Sequence, residues 1–225
     1  MNKREVGAFG VRISRAYAAG IGYSAGLKGR YVQQFGHYNR LFWLEPIVTH
    51  GIGELTLNIG VEVPALDGIV GLFPGLEKGA YPTFGGPIFR FADLQRSKLH
   101  DFIMKVTSPD CDERVLVQLE QLWGGVAMNF FQKLSTSDGW LQAVDTFLQT
   151  GKVGALNIPT MGRICIALKH SLEGREQAEG VVKVLTEGSE GRRVQDLEQT
   201  IKLQRLLTDN SEILSNLRNA IRWTH

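Results

Sequence analysis

Five histidines, His37, His50, His100, His170 and His225, and two cysteines, Cys111 and Cys165, are the side chains best suited to nucleophilic, acid-base or metal chemistry. None of the histidines lies in a nucleophile or zinc motif such as G-x-S-x-G or H-E-x-x-H. The cysteines stand in separate segments without C-x-x-C spacing, which points to two reduced thiols and not to a disulfide framework or a metal site. His37 and His50 flank one apolar stretch and could approach each other across a sheet, but turn or surface histidines are the stronger reading, since a metal site needs further ligands. Glu54 and Glu62, eight residues apart on one strand, lie roughly 26 Å from each other at 3.3 Å per residue, too far for joint acid-base work. They read as solvated charges or partner contacts.

The glycine-rich string Gly20-Ile21-Gly22-Tyr23-Ser24-Ala25-Gly26 is the one stretch that resembles a phosphate loop. A dinucleotide fingerprint follows a strand and opens a helix, because the helix N-terminus holds the pyrophosphate. Here the pattern is reversed, with a helix before and a strand after, so the string is expected to be a connector. No catalytic residue, cofactor or metal ligand is assigned from these patterns.

The elements that would carry any site follow from periodicity. Val6, Phe9, Ile13 and Tyr17 recur at helical spacing and predict an amphipathic opening helix ending near Gly20. Residues 27–34, 38–49 and 54–63 read as strands. In the third, Leu55, Leu57, Ile59, Val61 and Val63 alternate with Glu54, Thr56, Asn58, Gly60 and Glu62, the pattern of a half-buried antiparallel strand. The second holds Leu41, Phe42, Trp43 and Leu44 in a row, which suits a central strand covered on both faces. Glycines in Thr49-His50-Gly51-Ile52-Gly53 supply a hairpin between the two.

Residues 64–91 carry Pro64, Pro74, Pro82 and Pro87, six glycines and five aromatic residues, and read as a long irregular segment. Such segments are often functional, and the equal alternative is a covering loop whose aromatic rings plug the exposed edge of the core. Glu77, Lys78, Tyr81 and Phe84, with Glu54 and Glu62, are the candidate partner-binding residues. Beyond Cys111 the pattern turns helical. The first helix is expected to be interrupted or kinked at Gly124-Gly125, and a second runs from Ser137 or Asp138 to Gly151. A hairpin follows over residues 161–172 and 177–186, and then a terminal segment over 192–223 with a break at Asp209-Asn210-Ser211. Strands first and helices afterwards define an α+β fold: an N-terminal helix and antiparallel β-sheet followed by a C-terminal helical half. One domain is expected over 1–225, with a helix-plus-sheet lobe at 1–110 and a helical lobe at 111–225.

Net charge is +2, but residues 1–40 hold seven basic side chains against Glu5 alone, a local excess of six. Arg12, Arg15, Lys28, Arg30 and Arg40 form the candidate basic patch. Such a patch can steer acidic partners or nucleic acid, and Tyr17, Tyr23, Tyr31 and Phe35 lie among its residues in sequence, but solvated charges beside a helix and a strand are the stronger reading. Trp43, Trp123, Trp140 and Trp223 are scattered and read as core. Arg12 and Arg15 interrupt the stretch that a signal peptide keeps apolar, and no apolar run approaches membrane-spanning length, so a cytoplasmic protein without a membrane partner is expected.

Between Gly22 and Val63, Lys28-Gly29-Arg30 and Asn58-Ile59-Gly60-Val61, together with the hairpin from Ala167-Leu168 to Glu173-Gly174, resemble a family of uncharacterised bacterial α+β domains over about two thirds of the chain. Members of such families resemble immunity proteins encoded beside bacterial toxins. The resemblance implies a non-enzymatic binding protein that covers the active surface of a cognate toxin, the product of a neighbouring gene. It lends no catalytic residue. A hydrolase with a dispersed site and a nucleic-acid binder using the basic N-terminal end are the alternatives.

Overall fold

The computed structural model describes residues 2–72, 82–92, 99–108, 111–151, 154–156, 160–187 and 197–222. The opening helix, α1 (Lys3–Gly20), starts at a capping box: the Asn2 side chain accepts from the Glu5 amide while the Glu5 carboxylate accepts from the Asn2 amide, at 3.0 and 2.8 Å. Two of the helix's four orphan amides are thus satisfied. Val6, Phe9, Ile13 and Tyr17 form its buried stripe, as their spacing requires.

Six strands follow: β1 (Ser24–Ala25), β2 (Tyr31–Phe35), β3 (Tyr38–Thr49), β4 (Ile52–Glu62), β5 (Phe84–Pro87) and β6 (Ile103–Val106). They form one sheet in the order β1-β2-β3-β4-β5, with β6 also on β4. The glycine-rich connector is therefore part strand, since Ser24 and Ala25 pair antiparallel with Val32 and Tyr31. Lys28-Gly29 sits in a 3-10 turn, so the expected strand over 27–34 starts only at Tyr31.

The burial of β3 and β4 is the reverse of what their sequences suggest. All residues from Leu55 to Val61 are buried, including Thr56 and Asn58, so β4 is covered on both faces and not half-buried. In β3 only Leu41 and Phe42 are buried. Burial on the second face is possible because its polar groups find partners: Asn58 satisfies its amide on Glu45 Oε2 and the Thr56 carbonyl, at 3.4 and 3.3 Å. Buried polar side chains are tolerated when bonded in this way. Helix α1 lies close over the strand because Gly10 and Gly53 leave room. A Cβ on Gly10 would meet the Leu55 side chain at 2.9 Å, and one on Gly53 would meet that of Val6 at 2.6 Å.

The segment 64–91 is less irregular than its composition implies. Its described parts form α2 (Pro64–Val70), β5 and a 3-10 turn at Ile88–Arg90. Proline at the first helical position explains the start of α2, since it lacks an amide that would be orphaned there anyway. Helices α3 (Asp112–Leu122) and α4 (Met128–Lys133) are joined by a π-helical turn at Trp123–Ala127, where Gly124 and Gly125 were expected to interrupt. Then come α5 (Ser137–Thr150), α6 (Met161–Leu172), α7 (Arg175–Glu187), α8 (Leu197–Asp209) and α9 (Ser211–Ile221). Gly151 closes α5 at φ 64°, and Asn210 caps α9 by accepting from the Ile213 amide at 3.0 Å.

The chain is α+β, with an N-terminal helix, an antiparallel sheet and a helical C-terminal half. Its residues group into two compact units, 1–61 with 86–132 and 62–85 with 133–225. This division differs from a line at residue 110, because α3 packs with α1 and β6 in the sheet unit. In the helical unit α6 is the hub. Every residue from Met161 to Ser171 is buried, with α2, α5, α7, α8 and α9 packed around it.

Candidate functional site

His50 and Gly51 both have positive φ, 50° and 78°, which makes the two-residue turn that matches the twist of a β-hairpin. This turn sets Thr49 opposite Ile52 and therefore puts Trp43, Glu45, Ile47 and Thr49 on the same face of the sheet as Ile52, Glu54, Thr56 and Asn58. The Asn58–Glu45 hydrogen bond lies on that face. On the other side of β4, Glu54 pairs with Lys105 and Thr56 with Ile103. Near the hairpin this outer face is open: Ile47 is 40% exposed and Ile52 50%, with Glu45 and Lys105 exposed beside them. Trp43 is half-buried on this outer face, with the Arg30 guanidinium 5.0 Å over its ring. Two exposed isoleucines and a held indole, rimmed by charges of both signs, have the make-up of a protein contact surface.

The five basic residues do not form one patch. Strand alternation sends Arg30 to the outer face and Arg40 to the inner one, where Arg40 packs over Phe35, Phe131 and Tyr38 at 4.2, 5.3 and 6.0 Å. Arg12 forms a two-pronged pair with Asp112 on α3, at 2.6 and 2.8 Å, and also covers the Phe9 ring. Arg15 is exposed on α1, and Lys28 is exposed in its 3-10 turn at φ 56°. The aromatic residues near them in sequence belong to the inner face. Tyr17, Tyr23 and Tyr31 surround Phe42, with Trp123 against Tyr17, Tyr23 and Phe42 at 5.2 to 5.7 Å. Burial, and then the Glu120 charge, push the Tyr17 phenol up to about 12, and burial raises Tyr23 further. These rings pack a core and are not a stacking platform for bases.

Of the candidate partner residues, Glu54 lies on the open outer face and Glu62 is half-buried at the end of β4. Phe84 is a correction: it is fully buried and stacks on Trp140 with ring centres 6.4 Å apart, so it cannot meet a partner. Glu77, Lys78 and Tyr81 lie outside the described residues, as does Trp223. His37 and His50 both lie in turns, the stronger of the two readings of the sequence. They stand at opposite ends of the continuous twelve-residue strand β3, roughly 40 Å apart at strand rise, and cannot share a site. Neither Cys111 nor Cys165 is in a disulfide, and Cys165 is buried. Among the described residues no three metal-ligating side chains gather to hold an ion, and no helix is long and apolar enough to cross a membrane.

Sequence periodicity missed the polar groups inside the helical unit. Lys169 is buried on α6 and pairs with Asp145 and Glu173 at 2.5 and 2.7 Å. Burial alone would lower its ammonium, but the hydrogen bonds to the two carboxylates outweigh that and raise it. His170 is also buried, with Nε2 3.2 Å from Thr208 Oγ1. The Thr208 hydroxyl gives its proton to the Gln204 carbonyl at 2.9 Å, so His170 Nε2 must be the donor and Nδ1 the bare nitrogen. Nδ1 and the neighbouring Ser171 Oγ have no hydrogen-bond partner among the described residues. Burial lowers the His170 pKa, and the Arg218 and Arg175 charges add to this. A neutral buried imidazole stabilises fully above the unfolded value of about 6.5 and loses that contribution as pH falls below it. Wild type should therefore lose urea stability relative to His170→Gln between pH 7 and pH 5; a constant difference across that range would refute the assignment.

No family model, curated protein or solved structure matches this chain.

Proposed function

We propose that the protein is a cytoplasmic, non-enzymatic binding protein that docks a protein partner on the outer face of its sheet, next to the β3–β4 hairpin. The observation that carries this reading is the pair Ile47 and Ile52, 40% and 50% exposed on the sheet face that also holds Trp43 and Arg30. Aliphatic groups there gain about 25 cal/mol for each Å² removed from water, and Trp and Arg are the residues most often found at energetic centres of interfaces. Glu45, Glu54 and Lys105 supply a rim that sets register and excludes mismatched partners. The resemblance at Lys28-Gly29-Arg30 and Asn58-Ile59-Gly60-Val61 to bacterial α+β domains favours an immunity protein, with the toxin encoded by a neighbouring gene as the partner.

Co-purification with the neighbouring gene product, and protection of cells that express it, test the reading. Ile52→Asp and Trp43→Ala should each weaken binding about tenfold or more, the equivalent of about 1.4 kcal/mol. Arg15→Glu, on the exposed side of α1, should leave it unchanged. Absence of both binding and protection removes the immunity reading. Binding that is indifferent to Ile52 and Trp43 removes the proposed surface.

A further inference from the structure

Val63, the residue after β4, Asp67 on α2 and Thr83, the residue before β5, are tied to one another by hydrogen bonds. The Val63 amide donates to Thr83 Oγ1 at 2.7 Å. The hydroxyl in turn donates its one proton to Asp67 Oδ1, also at 2.7 Å. Val63 and Thr83 are buried, and the second Asp67 oxygen, Oδ2, is buried with no hydrogen-bond partner among the described residues. A carboxylate with a single donor and one bare, unsolvated oxygen is poorly placed to hold a charge, whereas a neutral carboxylic acid is tolerated there.

The surrounding charges do not relieve it. Glu62, the residue before Val63, has the same sign and opposes ionisation. From α6, Arg163 is directed to the Val70 carbonyl at the far end of α2. From α9, Arg218 is directed to the carbonyls of His170 and Ser171, and Glu212 and Arg222 are exposed. We propose that Val63, Thr83 and Asp67 form a proton-controlled clasp, closed while Asp67 is the neutral acid and opened when its ionised carboxylate moves out to reach water. The bond from Thr83 strengthens on ionisation, but one charge-assisted hydrogen bond is weaker than the cost of keeping the other oxygen unsolvated. Burial, with Glu62 adding to it and the Thr83 bond opposing it, pushes Asp67 up to about 7, which puts the transition in the neutral range.

Amide hydrogen exchange at Val63, measured by NMR from pH 5.5 to 8.5 and corrected for intrinsic exchange, tests the clasp. In wild type the Val63 protection factor should fall about tenfold or more across neutrality while α6 amides keep theirs. In Asp67→Asn it should stay constant, and in Thr83→Val it should be low at every pH. A wild-type protection factor that does not change with pH overturns the proposal, and so does a fall shared equally by Asp67→Asn or by the α6 amides. Should Asp67→Asn fail to fold, the wild-type pH series decides alone, through the contrast between Val63 and α6.

Discussion

Replacing Asp67 with asparagine should stabilise the protein above pH 7 and remove most of the pH dependence that this carboxyl imposes on folding. The folded-state value of about 7 lies well above the ordinary carboxylate range, mainly because of burial. Below about pH 4 the group is protonated in both folded and unfolded chains, and its contribution is fully present. As pH rises from about 4, the unfolded chain releases the proton while the folded chain keeps it, so stability drops by about 1.4 kcal/mol for each pH unit until the folded group ionises near 7. The total is about 4 kcal/mol, large beside the 5–15 kcal/mol that holds a typical domain together. An asparagine has no such loss. Its carbonyl oxygen can keep the bond from Thr83, and its amide costs less to bury than a charge. Urea midpoints of the two proteins at pH 4.5, 6 and 8 should converge or cross at the acid end and separate at the alkaline end. The same difference at all three values would show that Asp67 ionises normally. His170 acts in the opposite sense, removing stability as pH falls below about 6.5. The wild-type profile sums two opposed slopes, and each single variant isolates one of them.

The parts legible in the sequence were those where periodicity and burial coincide. The stripe of Val6, Phe9, Ile13 and Tyr17, the glycine stop of α5 at Gly151 and the break at Asn210 all depend on local rules that hold whatever packs outside. Strand β4 shows the limit. Its alternation marks a strand correctly, but alternation reports polarity and not exposure: Thr56 and Asn58 are buried, and the Asn58 amide is bonded to Glu45 and to the Thr56 carbonyl. Helix α6 shows the same thing. Arg163, Lys169 and His170 look like a solvent-facing side and are all inside, each held by a partner far away in sequence or by the next turn. The candidate surface was half visible. Trp43, Ile47 and Glu54 share a face by simple two-residue counting once the turn is known to hold two residues, and the same counting separates Arg30 from Arg40. What no local rule supplied is that Ile47 and Ile52 stay uncovered.

Arg163→Ala should be among the most damaging single substitutions in the helical unit, lowering stability by about 3 kcal/mol or more. The side chain is 2% exposed, and its Nη1 donates to the Val70 carbonyl at 2.7 Å. That carbonyl ends the seven-residue helix α2, where the last carbonyls have no partners within the helix, so Arg163 acts as its C-terminal cap and its charge complements the helix dipole. Two costs combine on truncation. A buried carbonyl loses its donor, about 1–3 kcal/mol, and the space left among α2, α6 and α9 adds a cavity cost of similar size. At about 2–4 °C for each kcal/mol in a protein of this length, the melting temperature should fall by roughly 6–12 °C. Arg163→Met separates the two costs: it keeps most of the volume and loses only the hydrogen bonds and the charge, so it should cost about half as much. Replacing a buried charge by a well-packed apolar group is often tolerated for that reason. A loss below about 1 kcal/mol in Arg163→Ala would mean that α2 is not held through this arginine. Equal losses in the alanine and methionine variants would assign the effect to the lost polar interactions and charge, with no contribution from packing.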